Sequence, residues 1–401
     1  VSSARVAAIP ESVAIWMNQL VADLRRAGRE FIVLSSGEAH FEVPWFGIDP
    51  ADVARGNQYS DSRGIPDLRA RIAEYHRRVH GMAIDPAREL LITAGSKMAI
   101  YLALLALLDP GDEVVIQEPA WVSYYEQVHL VGGTLRLVPY DVDVRELPGW
   151  FGPRTRLAIV NNPNNPAGLL YDRATLLALH CACRDRGVEL LVDEAYGDFV
   201  ADDAFVSLGA VVPDLDGAIV VNSLSKNLGV AGWRIGYAVA RPALIDALLK
   251  LNQHLITCAP TLLQLYLARH FDALLDATLP QARAVAEKRA RVARTIDQLG
   301  LMRLPGTGTF YFFVSIGAYA GTSAEFAVDL LLEDGVSVVP GSAYGTSTDR
   351  FVRVSIGAES EERIARALEA LRRRIDQPVV APGPVERLRA LGLRAFEAEP
   401  A

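Results

Sequence analysis

The most chemically suggestive residue of this chain is a lysine that closely follows an apolar run. Ser223-Leu224-Ser225-Lys226 closes the run AIVVN, and Arg234 follows within GWRIGY. An amine meant to condense with a carbonyl needs a fixed position and an easily lost proton, and partial burial near another cation favours both. The flanking hydroxyls and guanidinium suit a phosphate dianion. The plain alternative for SLSK alone is a surface lysine after a strand; the downstream arginine and glycines weaken it. Asp193 ends another apolar run, ELLVD, where an unpaired carboxylate is expensive to desolvate and needs a cationic partner. A protonated pyridine-type nitrogen is one such partner, and Tyr196 three residues on is placed to donate to a ring oxygen. Alone, Asp-Glu-Ala-Tyr also reads as an ordinary loop or cap. In Asn161-Asn162-Pro163-Asn164-Asn165-Pro166-Ala167-Gly168 the prolines fix the backbone while the amides project as neutral donors. A rigid turn explains those prolines but not the number of amides. Gly95-Ser96 sits between a strand and a helix, where free backbone N–H groups either bind phosphate or are simply capped.

These residues need elements that hold them in one place. From about 90 to 240, β-branched runs alternate with helical segments: LLITAG, EVVIQEP, LRLVPY, LAIVNNP, ELLVDEAY, AIVVNSLSK and IGYAVA. Continuous apolar runs of this length suit strands covered on both faces, so the pattern predicts a mostly parallel sheet wrapped by helices. Ligands of such sheets gather at the carboxyl edge, where Gly95, Ser96, Asn165, Asp193 and Lys226 all fall. An amphipathic helix is predicted over 10–28, stopped by Gly28, and a long Arg- and Ala-rich helix over 278–299. Beyond it, FYFFV, AEFAVDLLLE, VSVVP, FVRVSI and ERIARALEALRRRI predict a smaller α+β unit. The expected division is a large α/β domain over 45–285, a discontinuous small domain from 1–44 and 286–376, and a C-terminal extension over 377–401. That extension reads as a Pro-rich linker and a short helix, with no function assigned.

Composition narrows the possible partners. With 51% hydrophobic and 22% charged residues the chain is an ordinary globular one. A net charge of −8 with scattered basic residues gives no concentrated field for nucleic acid, yet leaves room for a local cluster around a small anion. No stretch approaches the ~18 uninterrupted apolar residues of a membrane span. The first ten residues lack a signal peptide's basic start and apolar core, so cytoplasmic residence is expected. Cys181, Cys183 and Cys258 read as buried or idle thiols in a reducing compartment, and no metal site is expected.

Ten motifs then line up in order: GIPDLR near Tyr59, ITAGS, DPGDEV, PAWVSY, NNPNNPAG, VDEAYGDF, SLSKNLGVAGWRIGY, PGTGTFYFFV, VVPGSAYG and FVRVSIG. In these the chain resembles the class I and II aminotransferases, the fold type I group of pyridoxal-phosphate enzymes, over roughly residues 10 to 375. The resemblance implies an α/β fold with a mostly parallel seven-stranded sheet wrapped by helices, plus a smaller α+β domain. It implies that Lys226 forms a Schiff base with pyridoxal 5'-phosphate and later moves a proton, while Asp193 pairs with the ring nitrogen. Tyr196 and Asn165 would contact the ring oxygen and Trp121 would stack on the ring. Gly95, Ser96, Ser223 and Arg234 would hold the phosphate, joined by Tyr59 from a partner subunit of a homodimer, and Ser225 counts with the cofactor-binding residues. Arg353 would grip the substrate α-carboxylate near the Gly37 backbone.

The chain departs from that family where GEPDF is usual: it has Gly37-Glu38-Ala39-His40-Phe41. His40 is therefore either a substrate or proton-transfer contact or a plain loop residue. Lys97 is either a further contact for phosphate or substrate charge or a solvent-facing side chain. Trp45, Phe46, Trp121 and Tyr124 read as an aromatic-lined pocket or as core packing. Transamination of an α-amino acid is the expected activity. Cyclases resembling aminocyclopropane-carboxylate synthase, decarboxylases, oxidases and carbon–sulfur lyases share the same lysine, aspartate and arginine. A regulatory or binding protein on the same fold is a third reading, distinguished by absence of turnover.

Overall fold

The structure is a computed structural model and describes residues 3–7, 9–201 and 204–394. In chain order its strands are β1 (Ile32–Val33), β2 (Leu90–Thr93), β3 (Glu113–Gln117), β4 (Thr134–Val138), β5 (Thr155–Asn161) and β6 (Glu189–Asp193). They continue with β7 (Ala218–Ser223), β8 (Gly236–Ala240), β9 (Tyr311–Ser315), β10 (Val336–Ser337), β11 (Val339–Pro340) and β12 (Phe351–Ser355). The seven β-branched runs all become strands of one sheet in the order β2-β8-β7-β6-β5-β3-β4. Only β8 runs antiparallel to its neighbours; the other pairings are parallel.

Burial on both faces explains why those runs are continuously apolar. Along β6, Leu190 and Val192 join one core cluster while Leu191 joins the cluster on the opposite face. In β7, Val220 likewise parts from Ile219 and Val221. Alternation still sorts the side chains, but both faces are covered by helices and both are apolar. Each such fully buried side chain contributes roughly 1.5–3 kcal/mol relative to exposure.

Register brings the polar strand ends level. Asn161 pairs with Asp193, Asp193 with Val221, and Gly236 with both Ser223 and Thr93. The carboxyl ends of β2, β5, β6 and β7 therefore open onto one edge.

A second sheet, β11-β12-β9, is antiparallel, and β1 pairs in parallel with β10 as a separate two-stranded ribbon. The single strand expected from VSVVP is thus divided: Val336–Ser337 serves the ribbon and Val339–Pro340 the sheet. The helix predicted over 10–28 spans Val13–Arg26. The long helix departs more, starting at Thr261 and passing through Pro280 to Gln298. Proline removes one backbone donor there, but packing of the apolar face holds the helix, with Thr278 and Gln281 side chains bonding the Leu274 and Ala277 carbonyls.

The C-terminal segment folds back on the second sheet's helices. Its short helix Pro384–Ala390 buries Leu388, and Arg387 pairs with the fully buried Asp329 of helix Ser323–Asp334. Asp329 also accepts from the Tyr319 hydroxyl and the Val380 N–H.

Candidate active site

At the common strand edge lies a cavity of about 630 Å³. Of the residues singled out above, Gly37, Ser96, Lys97, Trp121, Asn165, Asp193, Tyr196, Ser223, Ser225, Lys226, Arg234 and Arg353 line it.

Lys226 sits on the short helix Leu224–Asn227 directly after β7, whose start is capped by Ser223 accepting from the Ser225 N–H. The Lys226 Nζ donates to the Gly37 carbonyl at 2.8 Å. Burial pulls this amine down to about 8, opposed by Glu38 and assisted by Arg353 and Arg234. The free-base form is thereby within reach near neutrality.

Asp193 ends β6 at 5% exposure. Its carboxylate accepts from the Tyr124 hydroxyl at 2.7 Å and from the Ala195 N–H at 3.1 Å. Burial holds its carboxyl above its ordinary value, against the pull of those two bonds and of Lys226. No ion-pair partner reaches it among the described residues. A buried carboxylate supported only by neutral donors fits a cationic ring nitrogen.

Asn161 fastens the NNPNNPAG turn to β6. Its Nδ2 donates to the Asp193 carbonyl and its Oδ1 accepts from the Asn165 N–H. Asn165 then stands 3.5 Å from the Tyr196 hydroxyl. Arg353, on β12, reaches the same place: its Nη1 donates to Asn165 Oδ1 and its Nη2 to the Ser35 carbonyl. The guanidinium lies 4.4 Å from the Tyr311 ring centre. Its Nε has no partner and it is only 4% exposed. Among the described residues no carboxylate pairs with this buried cation, so an anionic ligand would complete it.

The fourth part of the cavity is built for an anion. Helix Ser96–Leu107 starts without a side-chain cap, Gly95 occupying the N-cap position at φ 81°, which leaves first-turn N–H groups free. The Arg234 guanidinium approaches Gly95 so closely that a Cβ there would lie 2.4 Å from Arg234 Nη2. Lys97 Nζ lies 5.1 Å from the Trp121 ring centre.

Two expectations are corrected. His40 does not reach this cavity: its N–H is tied to the Gly357 carbonyl, and its side chain lines a separate depression with Arg25 and Glu359. Trp45 and Phe46 do not line it either. Both are exposed, at 63% and 45%, stacked on Tyr266 and His270 of the long helix. Tyr59, expected to serve a partner subunit's site, is 85% exposed and lies outside this chain's own cavity. Conversely, the structure adds Tyr311 and Tyr344, and gives Tyr124 a polar role. Tyr311 shares the Gly37 carbonyl with Lys226 and contacts the Tyr196 hydroxyl at 3.3 Å. Tyr311 lies inside the apolar run FYFFV, where nothing marked it as a polar contact.

The family model "Aminotransferase class I and II" matches residues 31–371. The chain is 32% identical over 378 residues to an aspartate aminotransferase of Thermotoga maritima, covering 92% of this chain and 98% of that protein. It is 33% identical over 360 residues to an arginine–pyruvate transaminase of Pseudomonas aeruginosa, covering 85% and 90%. Among solved structures, the aspartate aminotransferase of Thermus thermophilus with maleate superposes with a TM-score of 0.83 at 30% identity, covering 93% of this chain and 99% of that one. The seven-stranded, mostly parallel sheet and the amine, acid and anion sites at its edge thus stand in a chain that belongs to the class I and II aminotransferases, pyridoxal-phosphate-dependent enzymes of fold type I.

Proposed function

We propose that Lys226 is the residue that attaches pyridoxal phosphate and moves the proton during transamination of an α-amino acid to its keto acid. The observation that carries this is the meeting, in one cavity, of a depressed lysine amine with two buried charges that have no ion-pair partner among the described residues, Asp193 and Arg353. When bound, pyridoxal phosphate supplies a carbonyl that captures amines and a ring that withdraws electrons from the substrate Cα.

The chain's own residues would divide the remaining work. Asp193, held by Tyr124, keeps a proton on the ring nitrogen. Asn165 and Tyr196 hold the ring oxygen, and Trp121 covers one ring face and excludes water. The Gly95 to Lys97 turn with Ser223, Ser225 and Arg234 holds the phosphate. Arg353 and the Gly37 backbone orient the α-carboxylate, which fixes the bond at Cα that breaks. The Lys226 Nζ, as a free amine, would take the Cα proton and give it back. Its site beside the Gly37 carbonyl keeps it there.

The same reading makes the protein a cytoplasmic homodimer. Exposed Trp45, Phe46 and Tyr59 give an apolar surface for the second copy, with Tyr59 reaching its phosphate site. Among the described residues no helix is long and apolar enough to cross a membrane, and the three cysteines are free. We assign the seven-stranded sheet to a large domain over 45–285 and the second sheet to a small one from 1–44 and 286–376, followed by the extension from 377. Separate cores support this division, and helix Thr261–Gln298 bridges the two.

The test is to load the protein with pyridoxal phosphate, reduce with borohydride and map the modified peptide. The adduct is expected at Lys226 and absent in Lys226→Ala; a persistent adduct elsewhere, with none at 226, refutes the assignment.

A further inference from the structure

A second cavity, of about 660 Å³, adjoins the first between the N-terminal segment, helix Ser96–Leu107 and helix Ser123–Leu130. Ser12, Lys97, Val122 and Ser123 line both, so the two share a wall. The far walls are apolar, built from Val13, Met98, Tyr101, Leu130 and Ala343. The polar groups in the lining include the hydroxyls of Ser12, Ser123 and Ser342 together with acceptors on Gln127 and two acids. Gln127, only 7% exposed, spends its Nε2 on the Lys97 carbonyl at 2.8 Å and leaves Oε1 without a partner. Glu11 and Glu126 lie in the same lining. Among the described lining residues the one cation is Lys97, on the shared wall facing the Trp121 ring, while Arg394 pairs with Glu11 at 3.0 Å.

We propose that this second cavity receives the substrate side chain and selects a large, mainly apolar one that ends in a hydrogen-bond donor, such as a phenol or an indole. The inference rests on the transaminase reading and adds its substrate class. A space of this size and apolar lining is far more than a carboxymethyl group fills. A distal carboxylate carried past Lys97 would meet Glu126 Oε2 and an amide oxygen, both buried acceptors without a hydrogen-bond partner among the described residues, whereas a hydroxyl or ring N–H would satisfy the buried Gln127 Oε1. A site built to bond a substrate hydroxyl discriminates strongly against the analogue that lacks it.

The experiment uses the cofactor-loaded enzyme with tyrosine, phenylalanine, alanine and aspartate as donors. In parallel, calorimetry measures binding of the unreactive acids 3-phenylpropanoate and succinate. Tyrosine is expected to exceed aspartate in kcat/KM by about tenfold or more, and 3-phenylpropanoate to bind more tightly than succinate. Met98→Trp, which fills the cavity, should lower the phenylalanine-to-alanine ratio of kcat/KM by about tenfold. It should weaken 3-phenylpropanoate in parallel, and Gln127→Leu should narrow the tyrosine-to-phenylalanine ratio. Preference for aspartate and succinate, or ratios unmoved by Met98→Trp, overturns the proposal while leaving transamination intact. Absence of turnover with every donor, together with no adduct at Lys226, overturns both.

Discussion

Replacing Lys226 by methionine offers a thermodynamic reading of the site that needs no cofactor. The methionine fills similar space without a titrating group. In the folded protein the amine titrates near about 8 against an ordinary 10.5, a difference of about 3 kcal/mol between its two protonation states. Because the folded value is depressed, the unfolded chain binds more protons between these limits, and stability must rise with pH across that window. The contribution is fully present above about 10.5, is lost as pH falls through about 8, and is absent below it. Urea unfolding of the cofactor-free protein and of Lys226→Met, from about pH 7 to 11, isolates this term as the difference between the two curves. That difference should be flat below about pH 8 and then climb towards about 3 kcal/mol in favour of the wild type. The same depression matters for chemistry: near pH 7.5 about a quarter of the amine would be free base, against about one part in a thousand for an ordinary lysine. A difference curve that stays flat through pH 10 would show that burial does not hold this amine neutral, and the reasoning would fail.

Two further substitutions probe other parts of the molecule. In Gly95→Ala the added Cβ, 2.4 Å from Arg234 Nη2 on a backbone at φ 81°, must displace the guanidinium. Losing one charge-assisted bond of about 1.5–3 kcal/mol predicts roughly tenfold or greater weakening of pyridoxal-phosphate binding, and unchanged affinity in a spectroscopic titration would contradict it. Arg387→Ala strips the buried Asp329 of its cation and should cost about 3–5 kcal/mol in denaturant unfolding. A loss below about 1 kcal/mol would mean that the C-terminal helix is only loosely docked.

Residue type and spacing alone determined the strands of the large sheet, the lysine and aspartate at their ends, and the asparagine-rich turn, whereas Arg353 stood out only through the family resemblance. Those signals are local: an apolar run long enough to be buried on both faces, followed at once by a polar residue, reads the same without knowledge of its neighbours. Tertiary structure alone decided what each group touches. Tyr124 reaches Asp193 across 69 residues, Arg353 reaches Asn165 across 188, and Tyr311 reaches Gly37 across 274. In β9, buried on both sides, apolar and aromatic residues follow one another, so alternation no longer tells which face Tyr311 takes. Likewise the GEAHF departure marked His40 as unusual, but the bond from its N–H to Gly357 turned the side chain away. Pro280 illustrates the same limit, since a local breaker lost to the packing of a 38-residue helix. Chemistry was legible where a single chain segment supplies it, and hidden where it depends on register between distant segments, which only the packed core fixes.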